Sequence, residues 1–137
     1  MSDTASKPRP QFRNLNLKQL MSYRQPLAAK SSILHRVSGA LLFLCIPLVI
    51  LPVFALSVTS PESFAEMRAW VSNPLFKIVL LVLIWGYLHH FCAGIRYLLL
   101  DLHVGNDKHT GQKTAGVVFG VSLALTLVFG LKLFGVW

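Results

Sequence analysis

The sequence predicts an all-α membrane protein, with three transmembrane helices behind a short N-terminal arm or interfacial helix. The spacing of charge carries this. After Arg36 no charged residue appears until Glu62, between Lys77 and Arg96 stands only the His89-His90 pair, and from Thr114 to Leu131 there is none. A spanning helix needs about 20 mostly apolar residues at roughly 1.5 Å of rise each, and all three stretches reach that with their polar ends included. The composition agrees, at 54% hydrophobic, 13% charged and a mean hydropathy of +0.59. Spans are expected at about residues 31–58, 75–103 and 114–137, behind a basic arm of residues 1–30, which leaves no room for a soluble domain in a 137-residue chain.

Charge distribution sets the expected orientation. The net charge of +8 is concentrated early: Lys7, Arg9, Arg13, Lys18, Arg24 and Lys30 precede the first span against a single acid, Asp3. A short cationic segment beside a span stays on the cytoplasmic side, which puts Trp137 on the opposite, periplasmic face. The first loop holds Glu62, Glu66, Arg68 and Lys77 with no cationic excess, as an outer loop should; the second adds Lys108 and Lys113 inside. Basic residues neither alternate with aromatics nor line one exposed helix face, so nucleic acid is not an expected partner.

Each segment then has a local reason. In the arm, Leu15, Leu17, Leu20, Met21 and Tyr23 alternate with polar residues before Pro26, which suits a short interfacial helix or an extended arm on a partner protein. No apolar run followed by a small-residue cleavage site marks a signal peptide, so the first span itself drives insertion. Pro61 and Pro74 bracket the first loop, and Gly105, Asn106 and Gly111 mark the second as a turn. Cys45 and Cys92 fall inside different spans and are small buried hydrophobes rather than a disulfide.

Two groups inside or at the mouth of these runs must be engaged, because a bilayer charges several kcal/mol for them otherwise: Arg36 and His90. Leu83, Gly86, Tyr87, Gly94 and Tyr97 share the helix face of His90. Glycines one turn either side open a flat surface on which a planar macrocycle could lie while the imidazole reaches its metal; the same glycines equally suit close helix packing around a hydrogen-bonded histidine. His89 points about 100° away, beside Ala93 and Arg96, and is expected to be a packed or lipid-edge histidine bonded to a partner. His103 and His109 fall in the loop. Ser32 and Arg36 lie one turn apart, with Gly39 a turn further in and His35 beside them. A hydroxyl and a guanidinium so placed can donate to a carbonyl, and histidine with arginine can hold a carboxylate; the alternative is an arginine reaching for lipid phosphate and a serine capping its helix. Arg36 is expected level with the Arg96–Asp101 stretch, His35 near the membrane edge and His90 deeper.

These residues also form motifs. SILHRVSG at Ser32–Gly39, the Arg9-Pro10 and Asn14-Leu15 arm, and His90, Gly94, Arg96 and Asp101 in the order HxxxGxRxxxxD resemble the cytochrome b large membrane-anchor subunit of bacterial succinate dehydrogenase, over nearly the whole chain. The resemblance implies that His90 is an axial ligand of haem b shared with a smaller anchor subunit, which supplies the second ligand. It implies that Ser32 and Arg36 border a ubiquinone site and that His35 and Arg36 approach the haem propionates. One position departs: Tyr97 stands where a second histidine often follows the arginine, which removes a propionate contact there and leaves His90 untouched. The implied partners are a flavoprotein subunit, an iron-sulfur subunit, the small membrane anchor and membrane lipid, in the bacterial inner membrane, within respiratory electron transport and the tricarboxylic acid cycle. With no dinucleotide fingerprint or cysteine cluster, the chain is not expected to be an enzyme by itself. A haem-free structural anchor and an anchor of a fumarate reductase relative are the competing readings. A channel subunit would need polar residues along the third span, where only Ser122 and Thr126 stand beyond its entry.

Overall fold

The computed structural model describes residues 16–136 and is helical, with no strand among them. The basic residues before position 16, the Arg9-Pro10 and Asn14-Leu15 positions and Trp137 lie outside the described residues. A short helix α1 (Leu17–Ser22), capped by the Asn16 side chain on the Lys18 amide, leads to a first long helix running from Leu27 to Thr59. That helix has three parts: α2 (Leu27–Cys45), a π-helical turn (Ile46–Ile50) and α3 (Leu51–Thr59). Two prolines explain the π turn. Pro47 and Pro52 each lack an N–H and crowd the carbonyl four residues back, so the ladder widens, and the Leu51 amide donates to the Ile46 carbonyl five residues earlier.

After Ser60 comes α4 (Pro61–Ser72), then α5 (Pro74–Asp101) and α6 (Lys108–Leu133). The first long helix, α5 and α6 have 33, 28 and 26 residues. At 1.5 Å per residue these are about 50, 42 and 39 Å long, enough to cross a hydrocarbon core of about 30 Å and emerge at both faces.

The segment expected as a loop around Pro61 is thus a helix. Proline at the first helical position is favourable because its missing N–H needs no partner there, and both Pro61 and Pro74 start helices. Ser60 and Ser63 close a reciprocal cap, and Asn73 accepts from the Leu75 amide at 2.9 Å. The second loop is shorter than expected, since α6 begins at Lys108 rather than near 114. Asp107 caps it by accepting from the Thr110 amide at 2.9 Å, so the polar stretch through Lys113 is helical. The N-terminus of α2 has no local cap; Gln112 of α6 accepts from the Ala28 amide at 3.2 Å and ties the two helices. At the end of α5, His103 (φ 61°) and Gly105 (φ 75°) take left-handed conformations that turn the chain into α6.

α5 sits centrally, packed against both α2 and α6, and α2 also meets α6. The interior is small and partly polar: Leu83, Leu88, Ala93, Ala115 and Val118 share it with Ser31, Ser38, His89, Arg96 and Ser122. Large apolar side chains, among them Phe43, Leu48, Leu98 and Leu127, face outward. Lipid is as apolar as leucine, so small and polar residues between helices and apolar ones outside suit the bilayer.

Candidate functional site

The site forms where α2 crosses α5. His90 lies with its ring 4.2 Å from that of His35, centroid to centroid, and the planes are 9° apart. Its Nδ1 is 3.0 Å from the His35 backbone carbonyl. A carbonyl only accepts, so Nδ1 carries the proton and donates, and Nε2 keeps its lone pair. That is the tautomer a metal-binding imidazole needs, with its second nitrogen oriented by a backbone carbonyl. The Ser38 hydroxyl donates to the same carbonyl at 3.0 Å and lies 3.5 Å from Nδ1.

Gly39 makes this approach possible. A Cβ there would lie 2.7 Å from His90 Cε1, well inside contact distance. The other glycines do not form the open platform that their spacing suggests. Gly86 faces Ser38, and Gly94 faces the His35 imidazole, with would-be Cβ contacts of 3.9 and 3.8 Å. α2 of the same chain covers that face of α5, because small residues one turn apart let helix backbones close together.

The predicted residues fall into two sets. His35 and His90 come together, with Tyr97 against the other side of His35 at 5.0 Å between ring centroids. Ser32 is half-buried and Arg36 exposed on α2, one turn apart on the same face. The depths assigned to His35 and Arg36 change: His35 stacks on His90 and so lies at the same level, and Arg36, the next residue of α2, lies there with it rather than beside the Arg96–Asp101 stretch. The reason is the early start of α2 at Leu27, which places His35 about 12 Å of rise inside that helix. Parallel, stacked imidazoles present faces to one another and do not meet end-on through a metal, so this pair does not provide two axial ligands to one iron.

His89 is fully buried, as expected of a packed histidine, between Trp85 at 5.4 Å and Phe119 at 5.1 Å. The Ser31 backbone is the polar group its ring meets, though at a geometry poorer than a full hydrogen bond, and the Ser31 hydroxyl and the Trp85 indole N–H have no hydrogen bond among the described residues. Arg96 was legible only as part of a motif. It is 8% exposed, its Nε–H donates to Thr114 Oγ1 at 3.0 Å and its Nη2–H to the Gly111 carbonyl at 3.1 Å. The signal was available, since a short turn between two helices sets residues equidistant from it side by side, and Arg96 faces Gly111–Thr114 across that turn. His103 and His109 are exposed at the loop, and no cluster of three or more His, Cys, Asp or Glu side chains occurs among the described residues.

Chemically, the crossing offers an imidazole whose Nδ1 is engaged by a carbonyl, a neighbouring imidazole, and a guanidinium and a hydroxyl on α2. The family described as succinate dehydrogenase/fumarate reductase transmembrane subunit matches residues 6–129. Among curated proteins, the succinate dehydrogenase cytochrome b556 subunit of Coxiella burnetii is 34% identical over 126 residues, which is 91% of this chain and 95% of the relative. The subunits of the same name from Paracoccus denitrificans and Rickettsia prowazekii are 33% and 28% identical over 109 residues, 80% of this chain and 83% and 84% of theirs.

Proposed function

Because this chain belongs to the succinate dehydrogenase/fumarate reductase transmembrane subunit family, we propose that it anchors a succinate:quinone oxidoreductase in the bacterial inner membrane, gives haem b one axial ligand and borders the quinone site. The observation that carries the haem assignment is the 3.0 Å contact from His90 Nδ1 to the His35 carbonyl, which leaves Nε2 to the iron. His90 therefore fits the group, with Ser38 and the carbonyl holding the ring in orientation. The second ligand is assigned to the small anchor subunit, as the family resemblance implies, and the stacking of His35 on His90 is consistent with that. His35 and Arg36 are the candidates for the haem propionates, as cations or donors beside carboxylates. Bound haem supplies one-electron storage and transfer at this level of the membrane.

Ubiquinone is the proposed substrate, at Ser32 and Arg36. The Ser32 hydroxyl and the Arg36 guanidinium donate hydrogen bonds to a quinone carbonyl, and both bonds strengthen as negative charge grows on that oxygen during reduction. Electrons arrive from succinate through the flavin and iron-sulfur subunits, which this chain holds against the membrane without itself oxidising succinate. The exposed Lys108 and Lys113 at the start of α6 suit a cytoplasmic face where that peripheral pair docks, with the N-terminus inside and the C-terminus in the periplasm.

The test is a separation of two activities in the assembled complex. Ser32→Ala and Arg36→Leu should each lower succinate–quinone activity about ten- to a hundredfold, the value of a lost hydrogen bond to a charged group, while succinate oxidation by a soluble dye persists. Equal loss of both activities would assign these residues to assembly instead.

A further inference from the structure

Between α5 and α6, beside the loop that joins them, lies a cleft of about 320 Å³. Its walls are apolar, with Leu99 of α5 and Val117 and Val121 of α6 open to the outside. Arg96 also lines it. Arg96 is 8% exposed, its hydrogen bonds among the described residues are those to Thr114 and Gly111, and its Cζ lies 5.5 Å from the centroid of the Tyr97 ring. Two bonds use two of its five N–H donors, and neither acceptor carries charge. No carboxylate pairs with it among the described residues. A full positive charge beside an apolar cleft inside a membrane, with no carboxylate near it, is costly until an anion joins it.

The dimensions suit one kind of anion. Gly111 is the fourth residue of α6, and Arg96 lies five residues before the end of α5, about 7 Å of rise inside it. From that depth an arginine reaches the phosphate layer of a leaflet. The lining residues of α6 run from Thr110 to Val121, about 16 Å of helix, close to the roughly 15 Å of hydrocarbon in one leaflet. Lys108 and Lys113 stand exposed at the same end and add to the cationic field.

We propose that the α5–α6 cleft holds one anionic phospholipid, its phosphate on the Arg96 guanidinium and one acyl chain lying between the two helices. The hydrogen bonds of Arg96 run to α6 whereas that of His90 runs to α2, and the lipid assignment does not depend on the haem or quinone assignment. Such a lipid joins α5 to α6 and completes the charge balance that Thr114 and Gly111 begin.

The assembled complex, placed in nanodiscs of phosphatidylglycerol and phosphatidylcholine in equal amounts, is released into the gas phase for native mass spectrometry. One phosphatidylglycerol should be retained per copy of this chain, preferred over phosphatidylcholine about fivefold or more, the effect of one cationic group at a lipid surface. Arg96→Gln should abolish that preference. Val121→Phe, at a position already exposed, should fill the cleft and displace the lipid with Arg96 intact, so the proposal stays testable should Arg96→Gln fail to assemble. Equal retention of the two lipids overturns the proposal, as does preferential retention that survives Val121→Phe. Cross-linking of a cysteine at Val117 to another protein chain would also overturn it, by showing a partner helix in the cleft.

Discussion

Replacing Gly39 by alanine tests how His90 is held. The added Cβ would lie 2.7 Å from His90 Cε1 and 3.1 Å from Nδ1, against about 3.5–4.0 Å for an ordinary carbon contact. The clash is with the far end of a side chain, so the ring moves by about 1 Å while the helices stay in place. A shift of that size takes Nδ1 from 3.0 Å to beyond hydrogen-bond range of the His35 carbonyl. The lost bond costs about 0.5–1.5 kcal/mol and the crowding about 1–3 kcal/mol. If Nε2 binds iron, removing the group that orients its ring should weaken haem retention by about ten- to a hundredfold. Haem content and thermal unfolding of the detergent-solubilised complex read both effects. Gly120→Ala is the control, since a Cβ there meets nothing within 4 Å. A Gly39→Ala complex that keeps its haem and melts with Gly120→Ala would refute the tight α2–α5 crossing.

Three helices were legible because a charge-free run of sufficient length has few alternatives to spanning a membrane. Their ends were not. Lys108–Lys113 is as polar as any loop, and only the Asp107 cap makes it helical; Pro61 and Pro74 look like turn markers but serve as first helical residues. The π turn follows from Pro47 and Pro52, yet the sequence does not say whether the helix kinks, bulges or breaks there. Within the site, His90 and the Ser32–Arg36 pair stood out as polar groups in or beside apolar runs. The stack of His35 on His90 did not, because it depends on the register between two helices and on a glycine, Gly39, whose value is the side chain it lacks. The acceptors of Arg96, a hydroxyl and a carbonyl, carry no charge to mark them, and only their distance from the turn, matching that of Arg96, pairs the two stretches.

His89→Phe should leave the haem spectrum unchanged, because it keeps the ring packing against Trp85 and Phe119 and His89 is not the proposed ligand; loss of the haem spectrum in that variant would move the ligand to His89. At Asp107, hydrogen bonds from Thr110, hydroxyl first and then amide, hold the carboxyl below its ordinary value of 3.8. A depressed carboxylate pKa stabilises above the unfolded value, and that contribution fades as pH falls from 3.8 through the lower folded value. The Thr110 amide should therefore lose hydrogen-exchange protection only in acid, and Asp107→Asn should flatten that dependence; protection in the unmodified chain that ignores acid would contradict the cap.

The ligand role of His90 is tested most directly by the reduced-minus-oxidised absorbance spectrum of the assembled complex, recorded for the unmodified chain and for His90→Leu with His35 and His89 intact. The account predicts one six-coordinate b-type haem per complex in the first. In the second that spectrum should be lost or converted to a five-coordinate form, with succinate oxidation by a soluble dye still present. An unchanged six-coordinate spectrum in His90→Leu would contradict it and place the ligand elsewhere.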